Sequence, residues 1–342
     1  MNIKTVYIEI TNRCNLNCRT CYNRSGLNKK TQELSIHQIE HIISLFSTYG
    51  AKRFLFSGGE PSLHSDFDRL LELIRTHPEL SFGFVTNGTS QNPTFIHLLN
   101  HASNITLQIS LDGSCEEKNQ QTRGIGHFDQ AVEFAKSIYN PTMRPLLKMV
   151  ISQNNLTDVE DFYRLAISLR CIPEFAFIYR SGNGEENWEN KKVSAQDKIK
   201  ILRQIDSLNQ QYQTDAYLPR CTSTCPFVKG TDQLSVCIKV DGSIQPCQSL
   251  YSTDYTLANA LHFDPNKMDK NLARICSLAR ERTSIDFGCE RCMLHAVCGR
   301  GCMAEAVHLT GDPLGNDDSC LYRKLQFLTY DLHATTKATN QS

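Results

Sequence analysis

Three cysteines near the start of the chain, Cys14, Cys18 and Cys21, constrain its fold and chemistry more than any other feature. They have the spacing C-x3-C-x2-C and follow an apolar run typical of a β-strand, residues 4–10. Such a set can supply three thiolates to a [4Fe–4S] cluster, which proteins usually hold with four. The next cysteine is Cys115, so one iron would lack a protein thiolate and be open to a small molecule.

A zinc site and a disulfide are the alternatives for these cysteines. A structural zinc normally takes four ligands, often as two C-x2-C pairs, and three closely spaced cysteines leave its coordination incomplete. A disulfide is disfavoured because the sequence begins with a strand rather than an export signal, and disulfides are rare in the cytosol. The pattern favours an iron–sulfur cluster in a protein that we expect to be cytoplasmic.

Charge and hydropathy argue against two classes of partner. The 342-residue chain carries 36 basic and 36 acidic residues, so its charge gives no reason to expect a nucleic-acid or membrane partner. No apolar run approaches the roughly 18 residues of a membrane-spanning helix. The 15 cysteines are many for such a chain, and without an export signal they indicate metal ligands.

Residues 3–212 alternate between strand-like and helix-like segments. Helical segments follow the predicted strands, and capping boxes predict N-caps at Ser35 and Thr157. Such alternation predicts a parallel, barrel-like sheet with helices outside. The predicted strands, each short and rich in branched and aromatic residues, are 4–10, 52–57, 81–86, 104–111, 145–152 and 174–180.

The cysteine pattern, followed by the aromatic residue Tyr22, resembles the signature of the radical S-adenosylmethionine (SAM) superfamily. The resemblance implies that the open iron binds the amino nitrogen and carboxylate of SAM. One electron from the cluster would cleave SAM to methionine and a 5′-deoxyadenosyl radical, which takes a hydrogen atom from the substrate. It also implies a partial (β/α)6 barrel over residues 1–212, with Cys14, Cys18 and Cys21 as the catalytic cluster ligands.

Further segments resemble the SAM-binding motifs of that superfamily. A Gly-Gly-Glu-Pro turn after the second strand resembles the segment that holds the SAM amino group. The fourth strand has a polar face, and polar side chains inside a barrel need hydrogen-bond partners such as a ribose. An Asp-Gly hairpin turn is an equally good interpretation of the same stretch. Arg123 resembles the arginine that pairs with the SAM carboxylate. The polar end of the fifth strand, which includes Asn154, resembles the segment near the SAM ribose. The implied SAM site is Tyr22, Gly58, Gly59, Glu60, Ser110, Asp112, Arg123 and Asn154.

Residues 213–330 form a predicted second module, followed by a flexible tail at 331–342. The segment 221–325 holds ten of the 15 cysteines and only one clear strand pair. Its C-x2-C and C-x3-C spacings are also typical of a zinc ribbon, which stays an alternative from spacing alone.

Beside a radical SAM core, this pattern resembles the cysteine-rich SPASM domain, whose cysteines hold two auxiliary [4Fe–4S] clusters. The first cysteine departs from that pattern, because 16 residues separate it from Gly242, one more than usual. The resemblance implies S-adenosyl-L-methionine and three [4Fe–4S] clusters as cofactors. One auxiliary cluster is assigned to Cys225, Cys247, Cys302 and, as fourth ligand, Cys221, with Cys237 as the competitor. The other is assigned to Cys289, Cys292, Cys298 and Cys320.

Proteins of this architecture mostly modify a ribosomally made peptide or a protein, so the resemblance implies an oxidative crosslink or an epimerisation. Maturation of a folded enzyme, of sulfatase or dehydrogenase type, and oxidation of a small molecule are alternatives with the same chemistry. A non-catalytic iron–sulfur module for electron transfer or binding is the alternative of another class.

The implied partners are a peptide or protein substrate and an external electron donor of flavodoxin or ferredoxin type. Only 13 residues precede Cys14, so we expect no N-terminal leader-binding domain. A separate leader-peptide-binding protein is therefore a candidate partner.

Gln248 generates a prediction against one of these alternatives. In the sulfatase-maturing relatives, an aspartate follows the cysteine of the G-x4-C unit and serves as a base, whereas here Gln248 follows Cys247. A carboxamide does not take up a proton at neutral pH. We expect no aldehyde on a peptide with the C-x-P-x-R sulfatase motif, even while SAM is cleaved. Hydrazine capture followed by mass spectrometry measures this, and a captured aldehyde refutes it.

Overall fold

In the computed structural model of the chain, the described residues are 2–26, 30–217, 219, 224–232 and 234–331. The predicted ligand Cys221 and almost all of the predicted tail, residues 332–342, lie outside them. None of the described helices is both long and apolar enough to cross a membrane.

A nine-stranded sheet organises the described part of the chain. Its strands are β1 (Ile3–Thr11), β2 (Arg53–Gly58), β3 (Ser81–Thr86), β4 (Ile105–Ser110), β5 (Leu146–Ile151), β6 (Ile172–Phe177), β7 (Leu234–Ile238), β8 (Ser243–Gln245) and β9 (Ala258–Asn259). The spatial order is β6-β5-β4-β3-β2-β1-β7-β8-β9. All neighbours from β6 to β7 are parallel, whereas β7, β8 and β9 pair antiparallel.

Helices follow most of the parallel strands and continue through the C-terminal part. The described α-helices are α1 (Ile36–Thr48), α2 (Phe67–Arg75), α3 (Pro93–His101), α4 (Glu116–Arg123), α5 (His127–Ser137), α6 (Val159–Ser168), α7 (Trp188–Lys191), α8 (Ala195–Tyr212), α9 (Pro265–Ser284), α10 (Met303–Thr310) and α11 (Cys320–Gln326). Most of them pack their apolar faces with the sheet in one buried core, which extends from β1 to α10. A smaller buried cluster joins α8 to α11 through Ile199, Leu202 and Tyr322.

The parallel sheet with its flanking helices confirms the predicted fold class. The first five strands lie within about two residues of their predicted bounds. The sixth begins and ends earlier than predicted, because residues 178–181 leave the sheet and lead into the 3-10 turn Gly182–Gly184. The helices α9 to α11 were not predicted, although Asp264 before Pro265 is an N-cap signal, and its Oδ1 accepts from the backbone N–H of Asn266 at 2.9 Å.

The two predicted N-caps have different outcomes. Ser35 caps α1, since its Oγ accepts from the backbone N–H of Gln38 at 3.3 Å, and the Gln38 side chain accepts from the Ser35 N–H at 2.8 Å. Thr157 lies instead in a 3-10 turn, and Asp158 precedes α6. The Asp158 carboxylate accepts from the N–H and hydroxyl of Ser114, at 2.7 and 2.5 Å. A tertiary contact therefore decides where α6 begins.

The sheet itself joins the cysteine-rich part to the barrel. β7 pairs in parallel with β1, with Val236 beside Val6, so β1 has strands on both sides. The predicted boundary after residue 212 coincides with the end of α8, but the two parts share one sheet and one core. Arg282 on α9 is fully buried and donates to the carbonyl of Arg300 at 2.7 Å, which fastens the cysteine segment to α9.

The two N-caps yield a matched pair of stability predictions. Ser35→Ala removes a capping hydrogen bond that exists, so we expect it to lower the free energy of unfolding by about 1 kcal/mol. Thr157→Ala removes no capping bond, and we expect a change below about 0.5 kcal/mol. Anaerobic denaturant unfolding of the two variants measures both values. Equal destabilisation by both substitutions would contradict the assignment of the caps.

Candidate functional site

A cavity of about 450 Å³ lies at the carboxyl ends of the parallel strands. Strand ends of a parallel sheet meet at one edge, which is where α/β proteins bind ligands. The lining side chains come from the cysteine loop, from the ends of β2 to β6 and from the segment after β8. All three N-terminal cysteines, Cys14, Cys18 and Cys21, are among them.

The turn after β2 holds one side of the cysteine loop. The backbone N–H of Glu60 donates to the carbonyl of Arg13 at 2.7 Å, and that of Gly59 donates to the carbonyl of Thr11 at 2.8 Å. A Cβ atom on Gly59 would overlap the carbonyl of Arg13, and one on Gly58 would overlap the carbonyl of Thr11. Two backbones approach here at a distance that only glycine permits.

The segment after β6 holds the other side of the loop. Asn183 donates from its backbone N–H to the carbonyl of Cys21 at 2.8 Å and from its side chain to the carbonyl of Cys18 at 2.9 Å. The Tyr251 hydroxyl donates to the carbonyl of Tyr22 at 3.1 Å. Sequence reasoning missed both supporting residues. The Ser-Gly-Asn-Gly turn after the sixth strand was a signal for the first, but nothing marked Tyr251.

Burial and mutual charge act on the loop thiols. Burial is the main cause that raises the pKa of Cys14 to about 12 and that of Cys18 to about 11; the charges of neighbouring cysteines act in the same direction, and Arg123 opposes the rise at Cys18. Because iron binds the thiolate, loading a cluster must release these protons. Three thiols on one cavity wall fit the donor set that a [4Fe–4S] cluster requires. In the described part of the chain, no three His, Cys, Asp or Glu side chains are grouped tightly enough for a single metal ion.

The predicted SAM residues fall into two groups. Tyr22, Gly58, Gly59, Ser110 and Arg123 line the cavity, whereas Glu60, Asp112 and Asn154 do not. Asn154 is exposed.

A buried neighbour, Asn155, takes the inward position that Asn154 does not. Its amide donates to the carbonyls of Asp112 and Val150, at 2.9 and 3.0 Å. The side chain of Asn155 thus ties the end of β5 to the loop after β4.

Glu60 is fully buried and fastens the end of β3 to the turn after β2. Its carboxylate accepts from the Asn87 N–H at 2.7 Å, from the Thr86 hydroxyl at 2.8 Å and from the Ser62 hydroxyl at 2.8 Å. Burial raises the pKa of Glu60, and these donors oppose the rise. Glu60 therefore supports the cavity wall from behind.

Asp112 is also fully buried and holds Arg123. The Arg123 Nε lies 2.9 Å from Asp112 Oδ2, and Asp112 Oδ1 accepts from the Val150 N–H at 2.9 Å. Burial opposes the charge on Arg123, but the carboxylate of Asp112 and the thiols of Cys18 and Cys21 together raise its pKa. The guanidinium is thus a fixed cation beside the cysteine loop.

Seven of the other cysteines form two further groups. Four of them surround a second, small cavity of about 40 Å³: Cys289, Cys292, Cys298 and Cys320. In the other group, the charge of Cys247 raises the pKa of both Cys225 and Cys302, after burial as the main cause. Cys237 is buried on β7 and also lies within the field of Cys247. Since Cys221 lies outside the described residues, the choice of a fourth ligand stays a prediction.

The cavity also lies close to the group that contains Cys247 and Cys302. Tyr179 lines the cavity, and its hydroxyl lies 3.5 Å from the sulfur of Cys302. Gln248 and Ser249, directly after Cys247, line the same cavity. One cavity is therefore lined both by the N-terminal cysteines and by residues next to Cys247 and Cys302.

Comparison with known proteins shows which family the barrel resembles. Residues 8–166 match the sequence model of the Radical SAM superfamily. Mycofactocin maturase MftC of Mycolicibacterium smegmatis is 27% identical over 321 residues, covering 92% of this chain and 81% of that protein. The AdoMet-dependent heme synthase of Methanosarcina barkeri is 26% identical over 345 residues, covering 92% of this chain and 95% of that protein.

Two solved structures share the fold. A structure of anSMEcpe with bound AdoMet aligns with a TM-score of 0.77 at 19% identity and covers 99% of this chain and 96% of that one. The structure of Streptococcus suis SuiB bound to the precursor peptide SuiA aligns with a TM-score of 0.74 at 18% identity, covering 93% of this chain and 75% of that one. The fold similarity thus includes the C-terminal, cysteine-rich part.

The buried pair yields a prediction on SAM binding. Asp112→Asn keeps the shape of the side chain but removes the charge that fixes Arg123, so we expect the dissociation constant of SAM to rise by about tenfold. Anaerobic calorimetric titration of the reconstituted protein measures it, with iron content as the check on folding. Glu133→Gln, which breaks an exposed pair with Lys136 at 2.8 Å, is the matched control and should leave SAM affinity unchanged. Unchanged affinity in Asp112→Asn would contradict the prediction.

Proposed function

We propose that the chain is a radical SAM enzyme that takes a hydrogen atom from a peptide substrate and gives an oxidative crosslink or an epimerised residue. The observation that carries the proposal is the single cavity shared by the cysteine loop and the segment after Cys247. When bound, the cluster and SAM supply a primary carbon radical that no side chain can form.

The residues of the chain have distinct proposed roles. Cys14, Cys18 and Cys21 hold the cluster, and the glycine turn leaves room for SAM beside it. Arg123, fixed by Asp112, offers a cation to the SAM carboxylate. Tyr22, Gly58, Gly59 and Ser110 line the cavity and are proposed as direct SAM contacts, whereas Glu60, Asp112 and Asn154 are predicted contacts that do not line it. The rest of the cavity wall is proposed to contact the substrate.

The two C-terminal cysteine groups are proposed to hold auxiliary [4Fe–4S] clusters. Their position supports this, since one group touches the cavity through Tyr179 and the other surrounds its own small cavity. Cysteine ligation at every iron would make them electron carriers. They would take electrons from the substrate in an oxidation, and an external flavodoxin or ferredoxin type protein would supply the electron for SAM cleavage. We place this chemistry in the cytoplasm.

Two comparisons support a peptide as the substrate. MftC is by name a mycofactocin maturase, and SuiB was solved with its precursor peptide. A separate leader-binding protein is a further proposed partner. The heme synthase of similar identity favours a second candidate, the oxidation of a small molecule. The two candidates are distinguished by testing whether a peptide or a small molecule is converted to product when SAM is cleaved.

Release of 5′-deoxyadenosine from SAM and a strong reductant tests the proposed activity. Replacing Cys14, Cys18 and Cys21 by Ala should abolish release, because the open iron is lost. Replacing Cys289 and Cys292 by Ala should leave uncoupled release but abolish product, because the electron path is interrupted.

Iron and sulfide analysis after anaerobic reconstitution is the accompanying measurement. We expect about twelve irons in the parent protein, from three four-iron clusters. Saturation near four irons together with bound zinc would contradict the auxiliary clusters and leave the core proposal intact. No release by the fully loaded parent protein would refute the radical SAM activity itself.

A further inference from the structure

An ion pair on the cavity wall has no role in the proposed reaction. Lys148 on β5 and Glu174 on β6 are register partners, and Ser110 on β4 is the register partner of Lys148. These three polar residues therefore form one row across three parallel strands, and all three line the cavity. The Nζ of Lys148 lies 2.9 Å from Glu174 Oε1.

The pair is incompletely satisfied. The Lys148 and Glu174 side chains are 27% and 18% exposed. The second carboxylate oxygen, Glu174 Oε2, is buried and has no hydrogen-bond partner among the described residues. An ammonium has three donors, and Lys148 uses one more, at 3.4 Å, on the side-chain oxygen of Gln108. A free acceptor and a free donor thus lie side by side on the wall.

The charge of the site selects the kind of group it can bind. Lys148 neutralises Glu174, which is the only carboxylate among the described residues that line the cavity. Arg123 adds a second cation to the lining, so a cationic ligand gains little there. A neutral group that donates to Glu174 and accepts from Lys148 satisfies both without adding charge.

We infer that Lys148 and Glu174 bind an amide group of the substrate, whose N–H donates to the Glu174 carboxylate and whose C=O accepts from Lys148. The inference rests on the proposed function and adds the chemistry by which the cavity recognises its substrate. The amide comes from one of two sources, an Asn or Gln side chain or the main chain of the peptide.

Ligand-detected NMR titration of the anaerobic, SAM-loaded protein tests this. The probes are the N-acetyl methylamides of glutamine, norvaline and lysine, which present a side-chain amide, a main-chain amide alone and a cation. Removal of both polar partners in the double variant Lys148→Met, Glu174→Leu avoids a buried unpaired charge. It should weaken binding by about tenfold or more, since each lost hydrogen bond is to a charged group.

The probes separate the two sources and the alternatives. Tight binding of the glutamine probe alone identifies a side-chain amide, and equal binding of glutamine and norvaline probes identifies the main chain; both support the inference when the double variant loses them. Preference for the lysine probe, unchanged binding in the double variant, or no binding of any probe overturns it.

Two controls keep this result separate from the proposed function. Glu133→Leu with Lys136→Met removes an exposed ion pair on α5 and should bind every probe as the parent does. Release of 5′-deoxyadenosine is measured alongside probe binding in both double variants and in the parent protein. Loss of probe binding with intact release supports the amide site. Absence of release in the parent protein contradicts the radical SAM activity instead.

Discussion

Backbone-to-backbone contact around the cysteine loop is the constraint on which the rest of the site depends. The loop has no regular secondary structure of its own, so its carbonyls must find donors elsewhere. The glycine turn after β2 donates to it on one side and Asn183 on the other. Side chains at Gly58 or Gly59 would push the loop out of the cavity. The positions of three thiols are therefore set by main-chain packing.

Fully buried carboxylates provide the second layer of support. Glu60 and Asp112 do not reach the cavity, yet each satisfies several donors at the ends of neighbouring strands. Such groups are stable only when every oxygen has a partner, because an unpaired buried charge is costly. They hold Arg123 and the strand ends around the cavity. Glu174 differs because it lines the cavity.

The pairing of β7 with β1 brings the two cysteine-rich parts of the chain to one cavity. β1 leads directly into the cysteine loop, and β7 leads through β8 to Cys247. Both loops therefore start from strands in one sheet. Tyr179 lies at the cavity, with its hydroxyl next to the sulfur of Cys302. The separation of the two loops is therefore set by the pairing within the sheet.

The sequence by itself determined the fold class, the six barrel strands, five of them with nearly correct bounds, and the spacing of the cysteines, because these depend on local pattern. It also determined that Ser35 caps α1, since both partners lie within one helical turn. Only the tertiary structure decided that Asp112 holds Arg123 and that Asn155, not Asn154, points inward. Only the tertiary structure placed Tyr251 beside the cysteine loop and the Lys148–Glu174 pair on the cavity wall. These contacts join residues far apart in the chain, and no local pattern records which strand ends will face each other.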